Sequence, residues 1–202
     1  MSKDKKKIAV VLEAAGDAKR YGSNKLLVPL SDGRTMIHNT MDDVLSLDVY
    51  KRVLVTQYEE IVEMAADDFD IVINNHPELG ISLSMQLGIE AAGDADAYMF
   101  CVCDQPDLTA STMKKLIDAY LAASENSDNV ITSISWQGDM SNPKIFSSVY
   151  REELMSLSGD IGGRQIIKNH MDNLILVEAY SEYEITDIDT PDDLKKLNDR
   201  DK

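Results

Sequence analysis

The chain is short of cysteine, of histidine and of long apolar runs, and each shortage closes off a class of explanation. Cys101 and Cys103 are the only cysteines. At i and i+2 of an apparent strand they point to one face, which suits neither a structural disulfide nor zinc-type spacing. Two buried thiols in a reduced cytoplasm are therefore expected. His38, His76 and His170 fall outside every motif found below, so surface or core positions are expected for them. No apolar stretch nears the ~20 residues of a membrane span. The apolar run Ile8–Leu12 behind a lysine-rich start is also shorter than a secretory core of about 7 to 15 residues.

Basic residues are scarce as well. Lysine and arginine number 20 against 36 aspartates and glutamates, a formal net charge of −16. That balance argues against nucleic acid or an anionic membrane as a partner, so an anionic ligand needs a local pocket of opposite sign. With 44% hydrophobic residues, a 202-residue chain can bury a sizeable core. No repeat, low-complexity tract or linker interrupts it, and one domain over 1–202 is expected.

What the chain does have is rhythm. Ile8–Leu12, Arg52–Thr56, Ile71–Asn74, Ala97–Val102 and Asn129–Ser135 read as strands. Met36–Leu47, Glu59–Asp67, Ser82–Ala92, Thr109–Ala123 and Gly162–Met171 read as helices between or after them. This alternation implies an α/β fold of three layers, a largely parallel sheet covered on both faces. Beyond residue 135 the rhythm loosens. Trp136–Pro143 reads as turn-rich, Lys144–Phe146 and Asp172–Val177 as added strands, and Thr190-Pro191-Asp192-Asp193 as the start of a last helix.

Against the acidic background, Glu13-Ala-Ala-Gly-Asp-Ala-Lys-Arg-Tyr-Gly-Ser-Asn-Lys25 stands out, for it gathers Lys19, Arg20 and Lys25 just after the first strand. Ligands of parallel sheets bind beyond the strands' carboxyl ends, so this loop is a candidate site. It fits neither the P-loop nor the dinucleotide pattern, since only Gly16 and Gly22 are present and Lys25 comes too late. Small residues there let a backbone approach a base or phosphate, and Arg20 and Lys25 can reach phosphate oxygens. A solvated loop kept soluble by its cations fits the same stretch taken alone.

Four further segments join it. Asp104-Gln105-Pro106 follows a strongly apolar strand, where a carboxylate can hold Mg²⁺ on substrate phosphates. Gly80–Ser84 opens a helix whose amides and hydroxyls can meet an anion or a ribose. Gly159-Asp160-Ile161-Gly162-Gly163-Arg164 is another tight loop, and Asp187-Ile188-Asp189 puts two acids on one side of an extended segment. Each also has a plain structural reading as a turn or a cap.

Together these residues resemble the MobA-like nucleotidyltransferases, and within that class the molybdenum cofactor cytidylyltransferases. The class opening L-A-A-G-x-S-x-R-M-G-x-x-K-L-L stands here as Glu13 to Leu27, D-Q-P as Asp104 to Pro106, and G-x-x-x-S-L-x-x-G-L as Gly80 to Ile89. G-D-x-G-A-R stands as Gly159 to Arg164 with Gly163 for alanine, and D-I-D-T-P-x-D-L as Asp187 to Leu194. The resemblance implies a Rossmann-like cytoplasmic transferase moving CMP from CTP, or a nucleotide from another NTP, to a phosphorylated pterin. It implies that Ala14, Ala15 and Gly16 line the base and that Gly80 and Ser84 join the nucleotide site. Arg20 and Lys25 would bind the triphosphate, and Asp104 would hold Mg²⁺ with Asp189 as a second acid. Gly159, Asp160 and Arg164 would face the pterin, and the product would pass to a molybdoenzyme or its chaperone. The second alanine resembles the CTP-using branch.

Three positions depart from that pattern. Glu13 replaces an apolar residue at the strand end, Ala18 a hydroxyl, and Ser141-Asn142-Pro143 lacks a glycine before Asn-Pro. Glu13 adds negative charge beside a nucleotide unless Arg20, Lys19 or a base amino group pairs with it, and a cytosine amine is such a donor. Rival readings are transfer to a sugar or alditol phosphate, and a non-catalytic nucleotide-binding regulator.

Overall fold

The computed structural model describes residues 5–16, 21–22 and 24–200. Its strands are β1 Ile8–Ala14, β2 Lys51–Thr56, β3 Asp70–Ile73, β4 Ala97–Val102, β5 Ile131–Trp136, β6 Asp139–Ser147 and β7 Leu174–Glu178. Its helices are α1 Met36–Leu45, α2 Glu59–Ala65, α3 Ile81–Ala92, α4 Ala110–Ser124, α5 Arg151–Met155, α6 Arg164–Asn169 and α7 Pro191–Arg200. The strands form one sheet in the order β3-β2-β1-β4-β6-β5-β7.

The expected α/β architecture is present. Ile8, Val10, Leu12 and Ala14 of β1 pack with α1, α2 and α4 on one face. Ala9 and Val11 pack with α3, α5 and α6 on the other. A central strand buried on both faces is expected to be apolar, which is why β1 reads as a hydrophobic run from Ile8 to Leu12, broken only by Glu13 near its carboxyl end.

Parallel pairing holds for β1 with β2 and β4, β2 with β3, and β5 with β7. The exception is β6, antiparallel to both its neighbours. The segment read as turn-rich is in fact a hairpin. Only Gln137 and Gly138 turn, both at positive φ (50° and 89°), as a two-residue primed turn requires. Pro143 is tolerated inside β6 because the register with β5 shifts between Ser133 and Ser135, a bulge that frees the ladder locally.

Chain order reverses beside β1. The chain runs outward through β2 and β3, then returns across β1 to lay down β4. The loops after β1 and β4 thus part at a switch point and leave a crevice between them. The helix starts near it are capped as their sequences suggest. Thr109 Oγ1 accepts from the Thr112 amide at 3.3 Å. Thr190 and Asp193 make a reciprocal box: each side chain accepts from the other's amide, at 3.2 and 3.0 Å. That box fixes the segment carrying Asp189.

Candidate active site

The crevice is a cleft of about 450 Å³, within the range of small-molecule sites. Ala15, Gly16, Lys25, Gly80, Ser84, Asp104, Asp160 and Asp189 all line it, from stretches spread across the sequence. Arg20 lies outside the described residues. The Ala14 methyl is packed in the core instead of lining the cleft, and its carbonyl accepts from Thr56 Oγ1 at 3.1 Å. Arg164 is exposed and donates Nη2 to the Met140 carbonyl at 2.8 Å, so it braces the β5–β6 hairpin.

Lys25 is the hub. Leu26, buried beside it, anchors the loop, and Asn24 Oδ1 accepts from the Leu26 amide at 3.2 Å. From the turn after β2, Gln57 donates to the Ala15 carbonyl (2.8 Å) and Tyr58 to the Gly16 carbonyl (2.7 Å), holding the backbone at the cleft edge. Lys25 Nζ donates to Asp104 Oδ2 at 2.7 Å and to Asp189 Oδ1 at 3.1 Å. Desolvation works to lower the pKa of Lys25, but the two carboxylates outweigh it and the net shift is upward. The ammonium stays charged.

The two acids are brought together by main chain. The Ile188 amide donates to the Asp104 carbonyl at 2.8 Å, so the tail segment runs along the loop after β4. Buried Gln105 reinforces the join, donating Nε2 to Asp187 Oδ1 (2.8 Å) and Ser141 Oγ (3.0 Å). Asp187 thus serves this join. Desolvation raises its pKa, helped by the Asp104 charge, although the Gln105 bond opposes the shift.

Asp104 Oδ1 is shielded from solvent and has no hydrogen-bond partner among the described residues. An unsatisfied carboxylate oxygen there suits a cation. Among the described residues no group of three or more His, Cys, Asp or Glu could hold a metal ion by itself. One or two carboxylates completed by substrate phosphates and water is the arrangement Mg²⁺ favours, so the residues fit a phosphate-borne divalent ion.

Two glycines set the far rim. Gly80 has φ +87°, and a Cβ there would fall 2.3 Å from the Gly159 carbonyl carbon and 2.7 Å from the Asp160 nitrogen. The Ser82 amide also donates to the Gly159 carbonyl at 3.2 Å, which seats the start of α3 on this loop and turns Asp160 into the cleft. At Gly163 a Cβ would meet the Phe146 ring at 2.6 Å, which explains why alanine is absent there.

Glu13 lines the cleft floor, and its Oε1 is solvent-shielded with no hydrogen-bond partner among the described residues. Burial pushes its pKa up to about 8; Lys144 opposes the rise and Asp104 adds to it. Lys144 was expected only as the start of an added strand, with no role at the site. It is buried on β6 and donates Nζ to Asn142 Oδ1 at 2.7 Å. Desolvation, then the Arg164 charge, lowers its pKa to about 8, while Glu13 and Asp187 pull the other way. Cys101 and Cys103 are buried free thiols with pKa raised by burial, and Cys103 also lines the cleft.

No helix among the described residues is long and apolar enough to cross a membrane. In comparisons, the purine catabolism protein PucB of Bacillus subtilis (strain 168) is 28% identical, over 91% of this chain and 92% of its own. A Methanothermobacter nucleotidyl transferase superposes with a TM-score of 0.79 at 24% identity, over 96% of this chain and 97% of that one. Rv0371c of Mycobacterium tuberculosis H37Rv, in complex with manganese, gives 0.72 at 22% identity, over 96% and 98%. At such identity these structures establish the fold. The MobA-like NTP transferase domain matches residues 9–174, and the chain belongs to that family of nucleotidyltransferases.

Proposed function

We propose that this chain, as a single domain over 1–202, transfers CMP from CTP to the phosphate of molybdopterin cofactor with release of pyrophosphate. The observation that carries this reading is the Lys25 ammonium held between Asp104 and Asp189 where the sheet reverses order. A triphosphate laid there meets a fixed cation and two acids suited to a divalent ion. The manganese complex of the Mycobacterium protein supports a metal of that kind. The Ala14-Ala15 pair supports CTP, and the Gly159–Arg164 loop beside the cleft supports a separate acceptor side.

In the reaction an acceptor phosphate oxygen attacks the α-phosphorus of CTP. A new phosphorus–oxygen bond forms as the bond to the β-phosphate oxygen breaks, and pyrophosphate leaves. The attacking oxygen is already anionic at neutral pH, so no protein nucleophile or strong base is needed. Catalysis rests on in-line positioning and on neutralising charge that moves toward the leaving group. Lys25 supplies that charge, and the Asn24 cap and the two carboxylates hold it still. Asp104 and Asp189 would hold Mg²⁺, which when bound neutralises phosphate charge. The nucleotidylated pterin would then pass to a molybdoenzyme or its chaperone.

The test is a thermal-shift screen of the four NTPs with Mg²⁺, followed by pyrophosphate release with a phosphorylated pterin. CTP at 100 times its dissociation constant should stabilise the protein by about 2.7 kcal/mol. A flat screen overturns the reading. Release that requires a sugar or alditol phosphate instead redirects the acceptor.

A further inference from the structure

The contact between α3 and β1 decides what lies over Glu13. A Cβ on Gly88 would fall 2.3 Å from Val11 Cγ1, so helix and strand touch there with nothing between them. α3 returns antiparallel to β1, as the helix of a parallel crossover does. Ser84, one turn back from Gly88, is displaced about 6 Å toward the cleft. Glu13, two residues beyond Val11, is displaced about 6.6 Å the same way. Ser84 therefore overlies Glu13, and both line the cleft.

Neither polar neighbour of this floor bonds Glu13 Oε1: Ser84 Oγ accepts from Asn74 Nδ2 at 3.1 Å, and Lys144, whose charge acts on Glu13, donates to Asn142. Ile81 and Val102 supply apolar wall. Glu13 Oε1, solvent-shielded and unbonded, is thus an acceptor for which the described residues offer no donor. A phosphate is unsuited to a carboxyl floor and has its cation at Lys25. The remaining parts of a nucleotide are ribose and base, and the flat, amine-bearing part suits a floor where Ile81 and Val102 give apolar wall and Glu13 an acceptor separate from Asp104, which would take the divalent ion.

We propose that Glu13 reads the nucleobase, accepting a hydrogen bond from the exocyclic amino group of cytosine. This rests on the reading of the cleft as a CTP site. The carboxyl accepts through a carbonyl oxygen whether or not it carries a proton, so the decisive probe removes the amine and keeps pH constant.

The experiment is calorimetric titration with Mg²⁺ and three probes: CTP, the 2-pyrimidinone ribonucleoside triphosphate that lacks only the 4-amino group, and inorganic tripolyphosphate. Wild type should bind CTP roughly tenfold or more tightly than the analogue, because the analogue leaves a buried acceptor unpaired. Glu13→Leu should bring the two within about threefold, with tripolyphosphate affinity unchanged. Glu13→Ala is the second variant should leucine not fit, and Glu13→Gln, which keeps a carbonyl acceptor, should retain the discrimination. Equal binding of both nucleotides by wild type, or an unchanged ratio in the leucine or alanine variant, overturns the role of Glu13 alone. Wild type that binds no nucleoside triphosphate overturns the function proposed above, and this inference with it.

Discussion

Replacing Glu13 with glutamine should make the protein more stable near neutrality, by an amount that grows with pH. In the fold, burial pushes the Glu13 pKa up from 4.5 to about 8. Between those values the folded protein keeps a proton that the unfolded chain has released. Stability falls as pH rises wherever the native state binds more protons. The contribution of Glu13 is thus fully present below pH 4.5 and lost as pH climbs through 8. Each pH unit inside the window is worth about 1.4 kcal/mol, so at pH 7 the wild type carries a penalty of about 3 kcal/mol. Glutamine mimics the neutral acid and escapes it. Lys144 adds slope only at the top of this range: its pKa is lowered from 10.5 to about 8, so it is mostly charged in both states below about pH 7. Asp187 is common to both proteins and cancels. Urea unfolding of both proteins at intervals from pH 5 to 7.5 is the assay. A difference that stays constant across that range refutes the buried-acid reasoning.

Three further outcomes are expected. Lys25→Ala and Asp104→Ala should each lower turnover by roughly 10² to 10³, the scale of one lost transition-state contact; steady-state rates within a few-fold of the parent would dismiss their roles. Gly80→Ala puts a methyl against the Gly159 peptide at φ +87° and should cost about 1–3 kcal/mol in urea unfolding; a neutral result would mean the two loops are not in contact. Gly163→Ala should cost a similar amount, about 1–3 kcal/mol, by forcing the Phe146 ring aside, and a stabilised variant would contradict the packing described.

Much of this was legible from residue order, because the features concerned are local. β1 and β4 are apolar runs ending in Glu13 and Asp104, and a central parallel strand cannot look otherwise. Thr109 and Thr190 announce their helices through hydroxyls that act within three residues. Lys25 and Asp104 were expected together because both follow strand ends, whereas Asp189 joined them only through motif likeness, and chain crossing at the switch point brings the three together. Non-local effects were hidden. β6 was missed over most of its length because Pro143 argues against a strand unless the neighbouring bulge is known. Lys144 was passed over because its burial depends on what α6 and β4 place around it. Gly163 looked like a small departure, and only the Phe146 ring shows that alanine has no room.

The backbone seam between Gly80 and Gly159 restricts where this scaffold can change its chemistry. One glycine opens the helix that carries Ser84, and the other precedes the turn that carries Asp160. A side chain at Gly80 would strike the Gly159 peptide, so the start of α3 and this loop meet backbone to backbone. A new partner for the far rim must therefore be accommodated through the side chains at Asp160, Ile161 and Arg164, while the seam itself stays bare.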